Sequence, residues 1–315
     1  MRFRPIDPAS ARTRKLGKLS RLVGHREFAK PLKSGATVGQ FLDSLPDILA
    51  ARDLRYLARA IARANRSRRP VLLMMGAHPI KCGLGPIVCQ MLRDGILNAV
   101  AMNGAAIIHD FELAFAGRTS EDVGAGLADG AFGMVEETGA FLNGAAKVAA
   151  DEERGLGEIV GREILKANFK FRDNSILATA ADVGAPATVH VALGTDIIHM
   201  HPSADGGAIG KATLADFHKL TAVVGEMSRG VALNLGSAVL MPEVFVKALN
   251  LARNLGRKVE QITTADMDFI RQYRPRVNVI ERPSAGGGVG IALTGHHEIM
   301  FPLLAAAIRE ELGRR

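Results

Sequence analysis

The run Pro70-Val-Leu-Leu-Met-Met-Gly76 constrains the fold most, because it is uninterrupted by polar side chains and ends in glycine. A strand that is apolar on both faces is typical of a parallel sheet covered by helices on each side. A helix predicted over 83–93 and a second strand predicted over 97–102 follow it. These segments form one βαβ unit, for which we expect a right-handed crossover.

The alternation of strands and helices continues along the chain. Further strands are predicted over 188–193, 230–235, 260–264 and 277–280, with a loop over 284–290. Further helices are predicted over 136–165, 174–183, 214–228, 242–255 and 298–312, and two amphipathic helices occupy 38–64. The fold class is therefore α/β: a doubly wound, mostly parallel, Rossmann-like sheet over 69–315, preceded by a basic arm and an N-terminal helical extension over 1–68.

The net charge of +8 is confined to one end of the chain. The first 33 residues hold ten Lys or Arg against two acids, which leaves 30 basic and 30 acidic residues in the remainder. The chain also lacks Trp, and aromatic residues make up only 5%, which disfavours a stacking platform for nucleic acid. We interpret the arm as a solvated or subunit-wrapping extension and do not expect a nucleic-acid partner.

The chain contains two cysteines, no long apolar run and no signal-peptide pattern. These features predict a cytoplasmic protein without a membrane partner.

The stretch Val189–Gly210 passes abruptly from a buried strand to ionisable residues and then to glycines, which is where chemistry is expected. His199, His201 and Asp205 are its candidate acid–base groups. The following Thr213-Leu-Ala-Asp216 has the spacing of a capping box and predicts the start of a helix.

Polar and small residues also follow the other predicted strands, and a doubly wound sheet brings such loops to one edge. His78 follows the first strand, and the small residues after Asn103 could seat an anion at a helix N-terminus. His296 and His297 precede the last helix, whose dipole would keep an imidazole neutral and able to act as a base. We therefore expect a small-molecule site.

A metal site is an alternative interpretation of the histidines. His199, His201, His296 and His297 are the candidate ligands for a divalent metal, although the chain contains no HExxH or CxxC pattern.

Four segments resemble the deoxyhypusine synthase family. They are Asn103–Asp110, Ser203–Gly206, Leu235–Asn254 and Phe301–Leu304. The resemblance implies a Rossmann-like homotetramer that binds NAD between subunits. It implies cofactor contacts from residues at the strand ends, namely Gly76, His78, Asn103, Gly104, Ala105, Gly236, Ser237, Thr264 and Asp266.

The chain departs from that family where the family's chemistry resides. Met241 stands where the family has its imine-forming lysine, and Lys247 lies six residues further along. Ile108-His109 replaces an acidic pair, and Gly295-His-His297 replaces a cofactor-binding Ala-Asp-Ala.

The resulting prediction is an NAD-dependent transferase or oxidoreductase that acts on a small molecule and does not make deoxyhypusine. The alternatives are a metal-dependent hydrolase or lyase that uses the histidines, and a non-catalytic oligomeric ligand-binding protein.

Overall fold

The computed structural model describes residues 3–314 and contains one parallel sheet in the order β3-β2-β1-β4-β5-β6. The strands are β1 (Val71–Met75), β2 (Ala99–Asn103), β3 (Ala187–His190), β4 (Val231–Leu235), β5 (Thr263–Asp268) and β6 (Val289–Thr294). The predicted α/β, doubly wound class is confirmed. The order reverses between β1 and β4, and this switch point is where such sheets open a ligand crevice.

Helices cover the strands on both faces. They are α1 (Val38–Ser44), α2 (Leu49–Arg66), α3 (His78–Lys81), α4 (Gly85–Arg93), α5 (Gly104–Ala116), α6 (Val123–Leu127), α7 (Glu136–Asp151), α8 (Leu156–Ala167), α9 (Ile176–Asp182), α10 (Gly206–Gly225), α11 (Leu240–Asn254), α12 (Tyr273–Pro275), α13 (Arg282–Ser284) and α14 (His297–Gly313). A π-helical segment, Arg276–Glu281, joins α12 to α13.

The two faces of the sheet form separate apolar cores. Leu73 and Met75 of β1 pack in the larger core, while Leu72 and Met74 point to the opposite core, against α10 and α11. This alternation explains why β1 is apolar at every position. Buried residues of α2, Leu54 and Leu57 among them, belong to the larger core, and a domain boundary at 68/69 stays a prediction.

The last third of the chain differs from the prediction. Val277–Ile280 lies in the π-helical segment and not in a strand, and β6 begins at Val289, in what was predicted as a loop. Val277 and Val279 are buried, and a four-residue apolar run has no periodicity that separates a strand from a buried turn of helix. The fifth strand is also shifted, from the predicted 260–264 to 263–268.

The predicted capping box at Thr213 is also wrong. Helix α10 starts at Gly206, with Asp205 as its N-cap, so that Thr213 and Asp216 lie within the helix. Both side chains bond to the outer edge of β3. The Thr213 hydroxyl donates to the Val189 carbonyl (2.9 Å), and the Asp216 carboxylate accepts the Val189 amide (2.9 Å) and the Gly157 amide (2.9 Å). These bonds satisfy backbone groups that an edge strand would otherwise leave open.

The basic arm, from Phe3 to about Ala36, is almost entirely exposed. Within the described part of the arm, its backbone bonds to the body lie near its end, from the Lys30 amide to the Ser44 carbonyl (2.9 Å) and from the Asp47 amide to the Glu27 carbonyl (3.0 Å). Over residues 3–314, no helix is both long and apolar enough to cross a membrane.

Asp216 predicts a pH-dependent contribution to stability. Burial raises the pKa of Asp216 to about 8, so the folded chain holds a proton that the unfolded chain releases near pH 4. The contribution is complete below about pH 4 and is lost as the pH rises through 8. In urea unfolding, Asp216→Ala should cost about 2–3 kcal/mol at pH 6, because two buried amides lose their acceptor. Asp216→Asn should abolish the part of the pH dependence that Asp216 causes.

Exposed Asp182, also on a helix, supplies the control. Asp182→Asn should leave the wild-type pH dependence intact. An unchanged slope in Asp216→Asn between pH 5 and 8 would contradict the assignment.

Candidate functional site

The two predicted histidine pairs follow different edge strands. His199 and His201 follow β3, and His296 and His297 follow β6. His297 packs against His78, which follows the central strand β1, whereas His199 bonds to its own loop. Within residues 3–314, no group of three or more His, Cys, Asp or Glu side chains is arranged to hold a metal ion. The predicted metal site of four histidines is therefore wrong.

His199 stabilises its own loop. Its Nδ1 accepts the amides of Gly194 (3.1 Å) and Asp196 (3.2 Å). A neutral ring that accepts at Nδ1 carries its proton on Nε2, which is buried without a hydrogen-bond partner among the described residues. The Nδ1 lone pair, which a metal ion or a proton would need, therefore already accepts hydrogen bonds from the loop.

His201 and Asp205 also support local structure. His201 Nδ1 lies 2.7 Å from the Ser203 hydroxyl, which accepts a bond from Asn143 of α7 (3.1 Å). Asp205 accepts the Ala208 amide (3.0 Å) as the N-cap of α10, and this bond lowers the pKa of the carboxyl. These contacts fix the β3–α10 connection, and they do not bring either side chain to the groups at β4–β6.

A second group of residues meets at the middle of the carboxyl edge. We call His78, Gly236, Asp268, Phe269 and His297 the central site. The ring centroids of His78 and His297 are 5.2 Å apart, and Phe269 lies 5.8 Å from His78 and 6.2 Å from His297. The central site thus joins the ends of β1, β4 and β5 to the first turn of α14, as expected for the switch point.

His297 is the buried member of the central site, with 2% of its surface exposed. Its Nε2 lies 3.6 Å from Asp268 Oδ1, too far for a hydrogen bond, and has no partner among the described residues. Burial lowers the pKa of His297, and the Asp268 carboxylate opposes that shift. The ring is therefore neutral at neutral pH, and Asp268 can stabilise it once it takes a proton.

Glycine is required at two positions of this site. Gly236 has φ +63°, and a Cβ there would lie 2.8 Å from His297 Nε2. A Cβ at Gly76 would collide with the Gly236 carbonyl oxygen. The loops after β1 and β4 therefore pack backbone to backbone, and Gly76 serves that contact.

Next to the central site, a buried asparagine links β4 to β5. Asn234 donates to Asp266 Oδ1 (2.7 Å) and to the Ser237 carbonyl (2.9 Å). Burial raises the pKa of Asp266 to about 6, although the bond from Asn234 opposes the shift. Ser237 Oγ accepts the Met241 amide (3.2 Å). Thr264 is fully buried, and its hydroxyl has no hydrogen-bond partner among the described residues; its predicted cofactor contact stays a prediction.

The predicted phosphate seat at the start of α5 is already filled. Asn103 Oδ1 accepts the Ala106 amide (3.0 Å) as the N-cap. The Asp196 carboxylate lies over Gly104, where a Cβ would collide with it. A phosphate at Asn103 and Gly104 would lie beside the Asp196 carboxyl, and the predicted cofactor contacts of these two residues stay predictions.

Asp196 also lines a cavity of about 200 Å³, which we call the Asp196 cavity. Polar groups reach it from three consecutive strand ends: Lys81 of α3, His109 and Glu112 of α5, and Asp196 after β3. Ile108, Phe132 and Ile197 belong to its apolar lining, and Ala105 and Glu121 also face it. The cavity is thus apolar in part, with a carboxylate at one end.

The ionisable side chains of the Asp196 cavity differ in their hydrogen-bond and ion-pair partners. Glu112 accepts bonds from the hydroxyls of Thr119 and Thr138, and Glu121 accepts the Gly133 amide (2.9 Å). Burial lowers the pKa of His109 to about 4, so this ring is neutral at neutral pH. Asp196 is 9% exposed and has no ion pair among the described residues.

The switch point between β1 and β4 brings together exposed His78, the close-packed glycine loops and the unpartnered buried Nε2 of His297. The residue at the position of the family's imine-forming lysine and the lysine six residues further along do not reach this switch point. Met241 is fully buried in the core, and Lys247 is an exposed residue of α11 paired with Glu243.

Sequence patterns missed Asn234, Asp268, Glu112 and the role of Asp196. One signal was present, because an asparagine inside the apolar strand Val-Ala-Leu-Asn-Leu must be satisfied when buried. The others depend on contacts between distant segments.

Comparison with known proteins places the chain near deoxyhypusine synthases. It is 26% identical over 266 residues, 77% of this chain and 83% of the relative, to a Methanopyrus kandleri protein named "Probable deoxyhypusine synthase". No protein-family model matches the chain. The resemblance inferred from the four segments is confirmed, as that of a divergent relative.

Solved structures share the fold at low sequence identity. A conserved Methanococcus maripaludis S2 protein, provisionally named LOR/SDH, superposes with a TM-score of 0.51 at 13% identity, covering 84% of this chain and 70% of that one. AgrE in its ternary complex with ornithine and NAD⁺ superposes with a TM-score of 0.50 at 12% identity, covering 83% of this chain. The chain spans about a third of the length of AgrE (34%).

The proton equilibrium of His297 can be measured by NMR titration of histidine-labelled protein. Because burial lowers the pKa of His297, its ring should stay neutral on acidification past the usual histidine value of about 6.5. Asp268→Asn should lower the pKa further, because the carboxylate favours the charged ring. A rise or no change in Asp268→Asn would contradict the assigned contact. Asp182→Asn, on the exposed surface, provides the control.

Proposed function

We propose that this protein is a deoxyhypusine synthase-like enzyme that binds NAD at the β1–β4 crevice and acts on a small organic cation held in the Asp196 cavity. The observation that carries the proposal is Asp196 itself, a nearly buried carboxylate that faces a cavity and has no ion pair among the described residues. Burial raises the pKa of Asp196, because an unpaired buried carboxylate is costly, and a cationic ligand would stabilise its charged form.

The cation preference follows from the balance of charges. Among residues 3–314, Lys81 is the one Lys or Arg that lines the cavity, against the carboxylates of Glu112, Glu121 and Asp196. His109 is neutral at neutral pH. The apolar lining suits an aliphatic body next to the charge. The family's acidic pair, replaced here by Ile108-His109, is thus compensated by carboxylates from other segments.

NAD binding is supported by the strand order, the glycine loops and the resemblance to a family that uses NAD. His78, Gly236 and His297 would hold the cofactor, and Ala105 lies on the side towards the substrate cavity. When bound, NAD supplies a hydride acceptor. The presence of NAD⁺ and ornithine in the AgrE complex is compatible with this chemistry on the same fold.

The chain's own residues can manage the proton that accompanies such a reaction. His297 is neutral and can accept a proton at Nε2, and Asp268 at 3.6 Å would stabilise the resulting imidazolium. Helix α3 connects the two parts of the site, because His78 faces the central site and Lys81, three residues later, lines the cavity. Met241 cannot form an imine, so lysine-mediated aminobutyl transfer is not part of the proposal.

NAD binding can be tested by isothermal titration calorimetry. The wild type should bind NAD⁺, and Gly236→Ala should weaken binding by at least about tenfold, or ~1.4 kcal/mol, because its Cβ presses on His297. Gly256→Ala is the matched control, since Gly256 also has a positive φ (+82°) but has open space around a Cβ. No heat with wild type at millimolar NAD⁺ would reject the cofactor assignment.

Cation binding is tested separately with 1,4-diaminobutane as the probe and succinate as the oppositely charged comparison. Asp196→Asn should weaken diaminobutane binding by about ten- to a hundredfold, as expected for loss of a charge-assisted contact. Exposed Asp151→Asn should bind like the wild type. Equal affinity for succinate, or an unaffected Asp196→Asn variant, would overturn the substrate class while leaving the NAD result standing.

A further inference from the structure

A cavity of about 500 Å³ lies at the amino ends of the strands, at the opposite edge of the sheet from the central site and the Asp196 cavity. It lies between α2 and the residues that lead into β1, β4, β5 and β6. Three arginines line it: Arg63 of α2, Arg69 before β1 and Arg229 before β4. We call it the arginine cavity. Its volume is large enough for a small organic ligand.

The charge of the arginine cavity is of one sign. Within the described chain, no Asp or Glu lines it, and none of its three arginines forms a salt bridge. Two other arginines of α2 are paired, Arg55 with Asp47 and Arg59 with Glu311. Guanidinium groups that face a common space repel one another unless an anion lies between them. The lining therefore favours a negatively charged ligand.

Neutral hydrogen-bond donors complete the lining. Thr263, the first residue of β5, is only 8% exposed, and its hydroxyl has no hydrogen-bond partner among the described residues. The Gly287 amide, in the glycine-rich loop before β6, also has no acceptor in the described part of the chain. The Ser67 hydroxyl follows the last turn of α2. A buried hydroxyl without a partner is unusual, and here it lines a cavity surrounded by cations.

The walls of the arginine cavity are held in place without a ligand. Arg229 Nε donates to Gln261 Oε1 (3.1 Å), and the Arg229 amide donates to the Glu260 carbonyl (3.0 Å). Arg229 (φ +61°) and Gln261 (φ +53°) both have left-handed backbone, which non-glycine residues rarely adopt and which clusters at ligand sites. On the other wall, the Arg63 guanidinium lies 5.7 Å from the centre of the Tyr56 ring. Such preorganisation lowers the entropic cost of binding.

We propose that the arginine cavity binds a small molecule through a phosphate group. A phosphate monoester carries about two negative charges and three acceptor oxygens, which match three cations and several neutral donors better than one carboxylate does. Arginine binds phosphate oxygens in pairs through its planar fork. The Tyr56 ring, also in the lining, offers a flat surface to the organic part of the ligand. The site is separate from the NAD and cation sites proposed above, because it lies at the other ends of the strands.

The proposal is tested by calorimetric titration of full-length protein with pyrophosphate at physiological ionic strength. The wild type should bind pyrophosphate saturably and at least about tenfold more tightly than malonate, which presents only carboxylates. Arg229→Gln should weaken pyrophosphate binding by at least about tenfold. Arg229→Lys should weaken it by about three- to tenfold, because lysine keeps the charge but lacks the fork.

Two further variants separate a built site from a general effect of charge. Arg52→Gln is the matched control, because Arg52 is also an exposed α2 arginine without a described salt bridge but lies outside the cavity. It should bind pyrophosphate like the wild type. Thr263→Val should weaken binding by about three- to tenfold. It should not lower the Tm, because the hydroxyl that it removes has no partner in the folded chain.

NAD⁺ also contains a pyrophosphate group, so the two proposed sites are compared directly. Arg229→Gln should bind NAD⁺ like the wild type, and Gly236→Ala should bind pyrophosphate like the wild type. Pyrophosphate binding that is weakened by Gly236→Ala and unaffected by Arg229→Gln would place the phosphate in the β1–β4 crevice and would overturn the proposal. The absence of NAD⁺ binding alone would leave the pyrophosphate result standing.

Three other results would reject the proposal. One is the absence of binding at millimolar pyrophosphate. The second is an equal loss of affinity in Arg52→Gln and Arg229→Gln, which would show a diffuse electrostatic effect. The third is binding of an RNA or DNA oligonucleotide that is lost in Arg229→Gln, without binding of pyrophosphate, which would assign this edge of the sheet to nucleic acid.

Discussion

The outer edge of β3 is closed by side chains instead of by another strand, and much of the carboxyl edge depends on this. Thr213 and Asp216 bond to the backbone of β3 and also connect it to the first turn of α8. Because the strand is fixed on both sides, the segment after it leaves at a defined position. That position places Asp196 over the start of α5 and next to the cavity. The buried Asp216 side chain at the edge thus helps to fix where Asp196 lies.

The strand order divides the carboxyl edge into two chemical regions. Around β2 and β3 the residues are carboxylates, a lysine and apolar groups. Around β4 and β5 they are a buried neutral histidine, a nearby carboxylate and close-packed glycine loops. Helix α3, at the end of the central strand, contributes a residue to each region. In the proposed function, this short helix would keep cofactor and substrate adjacent.

The chain resembles the deoxyhypusine synthases in fold but carries its charges on other segments. Met241, at the position of the family's imine-forming lysine, belongs to the buried core that α11 shares with β1 and β4. The carboxylates of the Asp196 cavity come from α5, from the segment that follows α5 and from the β3–α10 connection. None of them is at the position of the family's acidic pair, which is Ile108-His109 here.

The amino-acid sequence by itself determined the α/β class, five of the six strands in approximate position, and the confinement of net charge to the arm. These properties follow from composition and from local periodicity, which is visible within short segments such as Val71–Met75. The sequence also identified His78, Gly236 and His297 as residues at strand ends. It could not tell that His199 and His201 belong to the connection after the edge strand β3 and do not join these three residues at the central site, because strand order depends on which strands pair. It could not show that Thr213 and Asp216 close an edge, or that Asp196 fills an anion seat. Those outcomes arise from contacts between segments far apart in the chain, and only the tertiary structure decides them.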